Sequence, residues 1–128
     1  MSTEGKYKSY EKLDVWKLGH ELRLKVYILV KFLPKDEQYG LSSQIKRSSA
    51  SICANVAEGH GRFHYQENIQ FCRVARGSLA ETKDHLTFIR DAKLIKKTSS
   101  IEHLLDLCER IRMKLNGYIG YLKRCKLH

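Results

Sequence analysis

The chain has 128 residues, 42% of them hydrophobic and 30% charged, which suits one soluble globular domain with a modest core. With 24 Lys and Arg against 14 Asp and Glu the formal charge is +10, an excess that favours polyanionic partners without speaking to fold. No apolar run approaches the roughly 18 residues of a membrane span, and the N-terminus has no apolar signal core, so a membrane protein is excluded and a cytoplasmic location expected.

Residues 1–12 are polar and are expected to form a flexible tail, leaving 13–128 as the folded domain. Asp14 is a good N-cap for a first helix, whose Val15, Leu18, Leu22, Val26, Leu29 and Leu33 recur at helical spacing before Pro34 stops it. Asp36 or Ser42 can cap a second helix that carries Leu41, Ile45, Ile52 and Val56 inward. Gly59 and Gly61 should end it in a tight turn. A third helix is expected from about His64 to Ala92, with Cys72, Ala75, Leu79, Thr82, Leu86 and Ile89 facing the core. After a polar break, Ser99 or Ser100 can cap a fourth helix whose Ile101, Leu104, Cys108, Ile111, Leu115, Tyr118 and Leu122 alternate in steps of three and four. Four such segments with short links predict an all-α, antiparallel up-down-up-down four-helix bundle. Leu107 and Ile119 widen the stripe of the fourth helix, either as a second contact surface for a homo-oligomer or as a broad core face.

Catalytic and metal chemistry finds little footing. A di-metal carboxylate bundle needs Glu-x-x-His on two helices, yet no histidine stands three residues beyond Glu11, Glu21, Glu58, Glu67, Glu81 or Glu102. No Gly-rich phosphate cradle and no nucleophile–base pair can be drawn. Cys53, Cys72, Cys108 and Cys125 are widely spaced and fall at or beside apolar helix positions, so reduced thiols are expected rather than a zinc site or disulfides. Glu58 and Glu81 could form a paired-carboxylate site, but Arg47 in the same stretch favours a structural ion pair. The expectation is a protein that is not an enzyme, with no cofactor and no metal.

The stretch from Tyr39 to Glu81 is the most distinctive. Ser42, Ser43, Ser48, Ser49, Ala50, Ser51, Cys53, Ala54 and Ala57 let a neighbouring backbone approach closely. Among them Arg47, Asn55, Glu58 and Glu81 read as a partly inward polar network, with Arg47 buried and paired to Glu58 or Glu81. Together with Leu13-Asp14-Val15-Trp16, Leu33-Pro34, Tyr39-Gly40-Leu41, Gln44-Ile45-Lys46-Arg47, Asn55-Val56-Ala57-Glu58-Gly59, Arg62, Ala75, Gly77-Ser78 and Glu81, this stretch resembles the four-helix-bundle proteins encoded within intervening sequences of bacterial 23S ribosomal RNA genes. The resemblance runs from about Tyr10 to Ile95. Lys46 stands where that family usually has arginine, and Cys53 where proline is frequent. The accessory protein of diversity-generating retroelements is similar in architecture. The resemblance implies a homopentameric ring and supplies no activity.

Basic residues form two stripes. Arg73, Arg76, Lys83 and Arg90 on the third helix fall within about 100° of one another. On the fourth, Arg110, Lys114, Tyr121 and Arg124 follow a helical line, with Lys123 and Lys126 adding charge near its end. Cations along a groove neutralise phosphates and an exposed tyrosine stacks on an unpaired base, whereas the plain alternative is a solvated helix face. Two functions follow. One is a non-enzymatic homo-oligomeric protein binding nucleic acid, RNA or DNA, without sequence preference. The other is an interaction scaffold for a reverse transcriptase or a ribosome-associated protein.

Overall fold

The computed structural model describes residues 10–127. Four long helices account for most of them: α1 (Asp14–Leu29), α2 (Leu41–His60), α3 (Tyr65–Asp91) and α4 (Thr98–Lys126). Short 3-10 turns cover Tyr10–Lys12, Val30–Phe32 and Lys35–Glu37, and the described residues contain no strand. The fold is all-α. Of the expected tail, Tyr10–Lys12 is ordered as a turn, with the Tyr10 ring edge-on to Trp16 at 5.2 Å between centroids. Residues 1–9 lie outside the described residues.

The apolar periodicities mark the buried faces. Leu22, Val26, Ile45, Ile52, Val56, Cys72, Ala75, Leu86, Ile89, Ile101, Ile111 and Leu115 are all fully enclosed. In cyclic order, α1 packs on α2, α2 on α3, α3 on α4, and α4 back on α1. Small residues set the closest approaches. A Cβ placed on Gly19 of α1 would lie 3.2 Å from the Cys53 sulfur and 3.3 Å from Ile52 of α2. One on Gly59 of α2 would fall 2.7 Å from Asn68 Oδ1 and 2.8 Å from Phe71 Cβ of α3.

Leu107 and Ile119 are only 1% and 4% exposed within the single chain. Their apolar surface is consumed by the bundle itself, so the wide stripe of α4 is a broad core face and supplies no second contact surface. Leu18 and Tyr118, expected in the core, are half-buried and pack against its edge.

The helix ends differ from the sequence expectation because backbone groups rather than side chains close them. Leu13, Gly40, His64 and Lys97 are the N-caps, and none makes a side-chain capping bond. Asp14 instead sits in the first turn, where its charge suits the helix dipole. Ser42 lies inside α2 with its hydroxyl buried and unpartnered among the described residues. Ser100 donates to the Lys97 carbonyl at 3.1 Å. At the far end of α2 the helix runs through Gly59 and His60 into Gly61, which keeps a right-handed conformation with φ −77°.

The end of α3 is closed by two backbone bonds, Lys93 N–H to Arg90 O at 3.2 Å and Leu94 N–H to Ile89 O at 3.1 Å. That pattern is a Schellman motif, and Lys93 occupies its left-handed position with φ 56°. Glycine is the residue that fits there without strain, so a lysine is held against its preference. The motif turns Leu94 and Ile95 back onto the core. No helix among the described residues is long and apolar enough to cross a membrane.

Candidate nucleic-acid interface

The inward polar network between α2 and α3 exists, but it is built from hydroxyls rather than charges. Ser48 Oγ and Thr82 Oγ1 share a buried hydrogen bond of 2.8 Å, and Thr82 also donates to the Ser78 carbonyl at 2.9 Å. Ser78 Oγ donates to Ser51 Oγ at 2.9 Å, and Asn55 donates to the Ser51 carbonyl at 2.8 Å. Short side chains can be satisfied without leaving the seam. Arg47 cannot: its side chain is 63% exposed, so the expected burial is wrong. Its long stem carries the guanidinium out to solvent, where it pairs with Glu81, which also meets His85 Nε2 at 3.3 Å. Glu58 lies about three turns further along α2 and pairs with Arg62 at 2.6 Å. Glu58 and Glu81 therefore each answer an arginine and do not form a carboxylate pair.

The basic residues divide between two seams on either side of α4. On the α3 side, Arg76 Nη1 donates to Asn116 Oδ1 at 2.9 Å, and Arg73 lies one turn earlier on the same exposed face. Lys83 lies close enough to Glu109 to help hold that carboxyl below its usual range, although the Arg112 hydrogen bond is the larger cause. Arg90 bonds Asp91 at 2.9 Å and approaches Glu102 at 3.9 Å. On the other side Lys114 lies 3.9 Å from Asp14 of α1. Arg110 faces Glu21 of α1 and adds to the pull, led by the Lys25 hydrogen bond, that lowers its carboxyl. The two predicted stripes thus include residues on both sides of α4. Lys83, Arg90, Arg110 and Lys114 already answer acids.

Arg73, Arg76, Lys123, Arg124 and Lys126 do not. Among the described residues none of these five meets a carboxylate, and all are exposed. Lys126 reaches across to Gln66 at the start of α3, with Nζ donating to Oε1 at 2.6 Å. Lys123 stands seven residues beyond Asn116, so it returns to the same side of α4 within about 20°.

Aromatic surface collects at this end of the molecule. Tyr121 is 53% exposed and stacks on Tyr118, with centroids 6.4 Å apart and planes at 13°. Hydrogen bonding to Cys125 pushes its phenol above the ordinary value. Tyr118 is held from behind, its hydroxyl accepting from Asn68 Nδ2 at 3.1 Å and lying 3.3 Å from His60 Nδ1. Exposed Tyr65 and Phe63 lie at the start of α3 and in the turn before it. Sequence reasoning passed over Tyr65 and Asn116. Neither carries a signal in the linear chain, because each joins the surface only through the register of α3 against α4.

Three of the thiols are buried in the core, and burial pushes Cys53 and Cys72 to about 11 and Cys108 to about 12. They are protonated at neutral pH, and the described residues hold no group of three or more His, Cys, Asp or Glu placed to bind a metal ion.

The model of a protein family described as 23S rRNA-intervening sequence protein matches residues 11–117. The chain belongs to that family. The match takes in all of α1, α2 and α3 and most of α4, including the hydroxyl seam, Arg73 and Arg76. Among solved structures, the chain is similar to a crystal structure from Bacteroides thetaiotaomicron, a protein of unknown function from the S23 ribosomal protein family. The two share 24% identity at a TM-score of 0.75, over 82% of this chain and 97% of that one. That likeness shows the shared fold. None of the curated proteins matches the chain.

Proposed function

We propose that this family member is a non-enzymatic, homo-oligomeric nucleic-acid-binding protein that grips the phosphate backbone of single-stranded RNA at one end of the bundle. The observation that carries this reading is five exposed cations, Arg73, Arg76, Lys123, Arg124 and Lys126, that meet no carboxylate among the described residues, with the exposed Tyr121 on the last turns of α4. Cations without partner acids release counterions when they meet phosphates, and an exposed ring offers a stacking face that any base can use. The family's own description, which ties it to 23S rRNA, favours RNA as the polyanion.

The finer architecture belongs to the same proposal. The pairs Arg76–Asn116 and Lys126–Gln66 support antiparallel α3 and α4, as Arg47–Glu81 and Ser51–Ser78 do for α2 and α3, giving an up-down-up-down bundle. Five copies in a closed ring would carry a formal 5 × 10 = +50 from the +10 of each chain. Sedimentation at micromolar concentration should return that closed oligomer, and a clean monomer would remove the ring.

Fluorescence anisotropy with an unstructured RNA tests the binding face. Arg73→Glu with Arg76→Glu should weaken binding of unrelated sequences alike, and Tyr121→Ala should cost roughly 1–3 kcal/mol. Reversal at Arg110 and Lys114, which face acids of α1, should matter less. Equal losses from both reversals would refute the placement of the site. The scaffold reading draws its support from a different surface, at the opposite end of α4.

A further inference from the structure

At that opposite end lies a groove of about 510 Å³ between α1 and α4, closed by the link from Leu94 to Lys97. Its walls are apolar: Ile28 and Leu29 from α1, Phe32 from the 3-10 turn after it, Leu94 and Ile95 from the link, and Leu104 from α4. Its rim is basic, with Lys25, Lys96, Lys97 and His103, and no acidic residue lines it. The Lys25 ammonium is fixed there by Glu21 and by His103 Nε2, each at 2.8 Å.

The apolar surface continues outside the groove. Leu24, Ile28 and Phe32 repeat every four residues along α1 and the 3-10 turn after it, and are 54%, 57% and 68% exposed, with Tyr27 beside them at 46%. A contiguous exposed apolar row is rare on a surface with no partner.

We propose that this groove docks an amphipathic, acidic helical segment of another protein. The partner's apolar residues, spaced three and four apart, enter between α1 and α4 and cover the α1 row, while its carboxylates meet Lys96 and Lys97. A second copy of this chain is the poorer occupant, because it brings +10 of charge to a rim that is already positive. The scaffold reading thereby acquires a partner chemistry. The groove contacts Ser100, His103 and Leu104 near the start of α4, whereas the proposed RNA face lies near residues 116–126. From Leu104 to Asn116 twelve residues of helix separate the two, about 18 Å. One bundle can hold a polyanion at one end and a protein at the other.

The test uses the full chain and two synthetic helical peptides, both with leucine at positions 3, 7, 10 and 14. In one the remaining charged positions are glutamate, in the other lysine. The glutamate peptide should bind at least about tenfold more tightly than the lysine peptide. Ile28→Ser with Phe32→Ser should weaken it about tenfold or more, as should Lys96→Glu with Lys97→Glu. Both pairs are exposed, so folding is retained, and the neutral Ser variant should bind RNA as the parent does. Failure of RNA binding alone would sink the RNA reading and leave this one standing. No binding of either peptide, equal binding of both, or indifference to the variants would overturn the groove's assignment. So would a fall in sedimentation mass on the Ser substitutions, since a second copy would then be its occupant.

Discussion

The same substitution, glycine to alanine, should have opposite signs at two positions in this fold. Gly59 is buried where α2 meets α3, and an added Cβ would lie 2.7 Å from Asn68 Oδ1, 2.8 Å from Phe71 Cβ and 3.1 Å from the Asn68 carbonyl. Two of those atoms are fixed to the α3 backbone. The third belongs to a side chain held by Tyr118 at 3.1 Å and Cys72 at 3.6 Å. The helices must therefore separate, and overpacking of this kind costs roughly 1–3 kcal/mol. Alanine's better helix propensity offsets at most about 1 kcal/mol, and less at a position one residue from the helix end. Gly59→Ala should lose roughly 1–2 kcal/mol by that difference. Gly77 lies exposed within α3 with nothing within 4 Å of its Cβ position, so Gly77→Ala should gain about 0.5–1 kcal/mol. Urea unfolding of the two variants and the parent measures both signs. A Gly59→Ala protein as stable as the parent would refute the close approach of α2 to α3.

Arg47→Ala should cost only about 0.2–1 kcal/mol in urea unfolding, because its pair with Glu81 is exposed to solvent; a loss of several kcal/mol would mean that the pair is buried. Lys93→Gly should stabilise the fold by about 1 kcal/mol, since glycine adopts the left-handed position of the Schellman motif without strain, and a destabilised variant in the same assay would refute that reading. Stability should fall as pH rises from about 9.0 toward 11. There the unfolded chain's thiols ionise while Cys53, Cys72 and Cys108, held at about 11 to 12, do not. Each thiol adds about 1.4 kcal/mol per pH unit to that loss, and an alanine at any of the three should flatten it.

The helices were legible because each buries one face, and a stripe such as Ile101 to Leu122 records that burial in its spacing. Their ends were not, because Gly40 and Lys97 are closed by backbone geometry, while Asp14 and Ser42, the side chains that resemble caps, serve elsewhere. Small residues in α2 announced close packing, and the seam with Ser51, Ser78 and Thr82 confirms it. What they could not announce was the division of polar labour. A serine hydroxyl can be satisfied inside, whereas the Arg47 stem is long enough to carry its charge out. The width of the α4 stripe was legible, but its meaning depended on whether the bundle alone covers Leu107 and Ile119, which it does. The basic stripes were visible as helical lines. Which of their charges already answer acids depended on the α1–α4 and α3–α4 registers, which joined Lys114 to Asp14 and Arg76 to Asn116.

The salt dependence of RNA binding tests the proposed function most directly. Five phosphate contacts, one for each of Arg73, Arg76, Lys123, Arg124 and Lys126, predict a slope of log Kobs against log salt of about −3.5 for single strands. Reversing Arg73 and Arg76 should flatten it to about −2. Reversing Lys6 and Lys8, which lie outside the described residues, should change it far less. Equal changes from the two double reversals would show that net charge alone drives binding, and no detectable binding at low salt would contradict the nucleic-acid function itself.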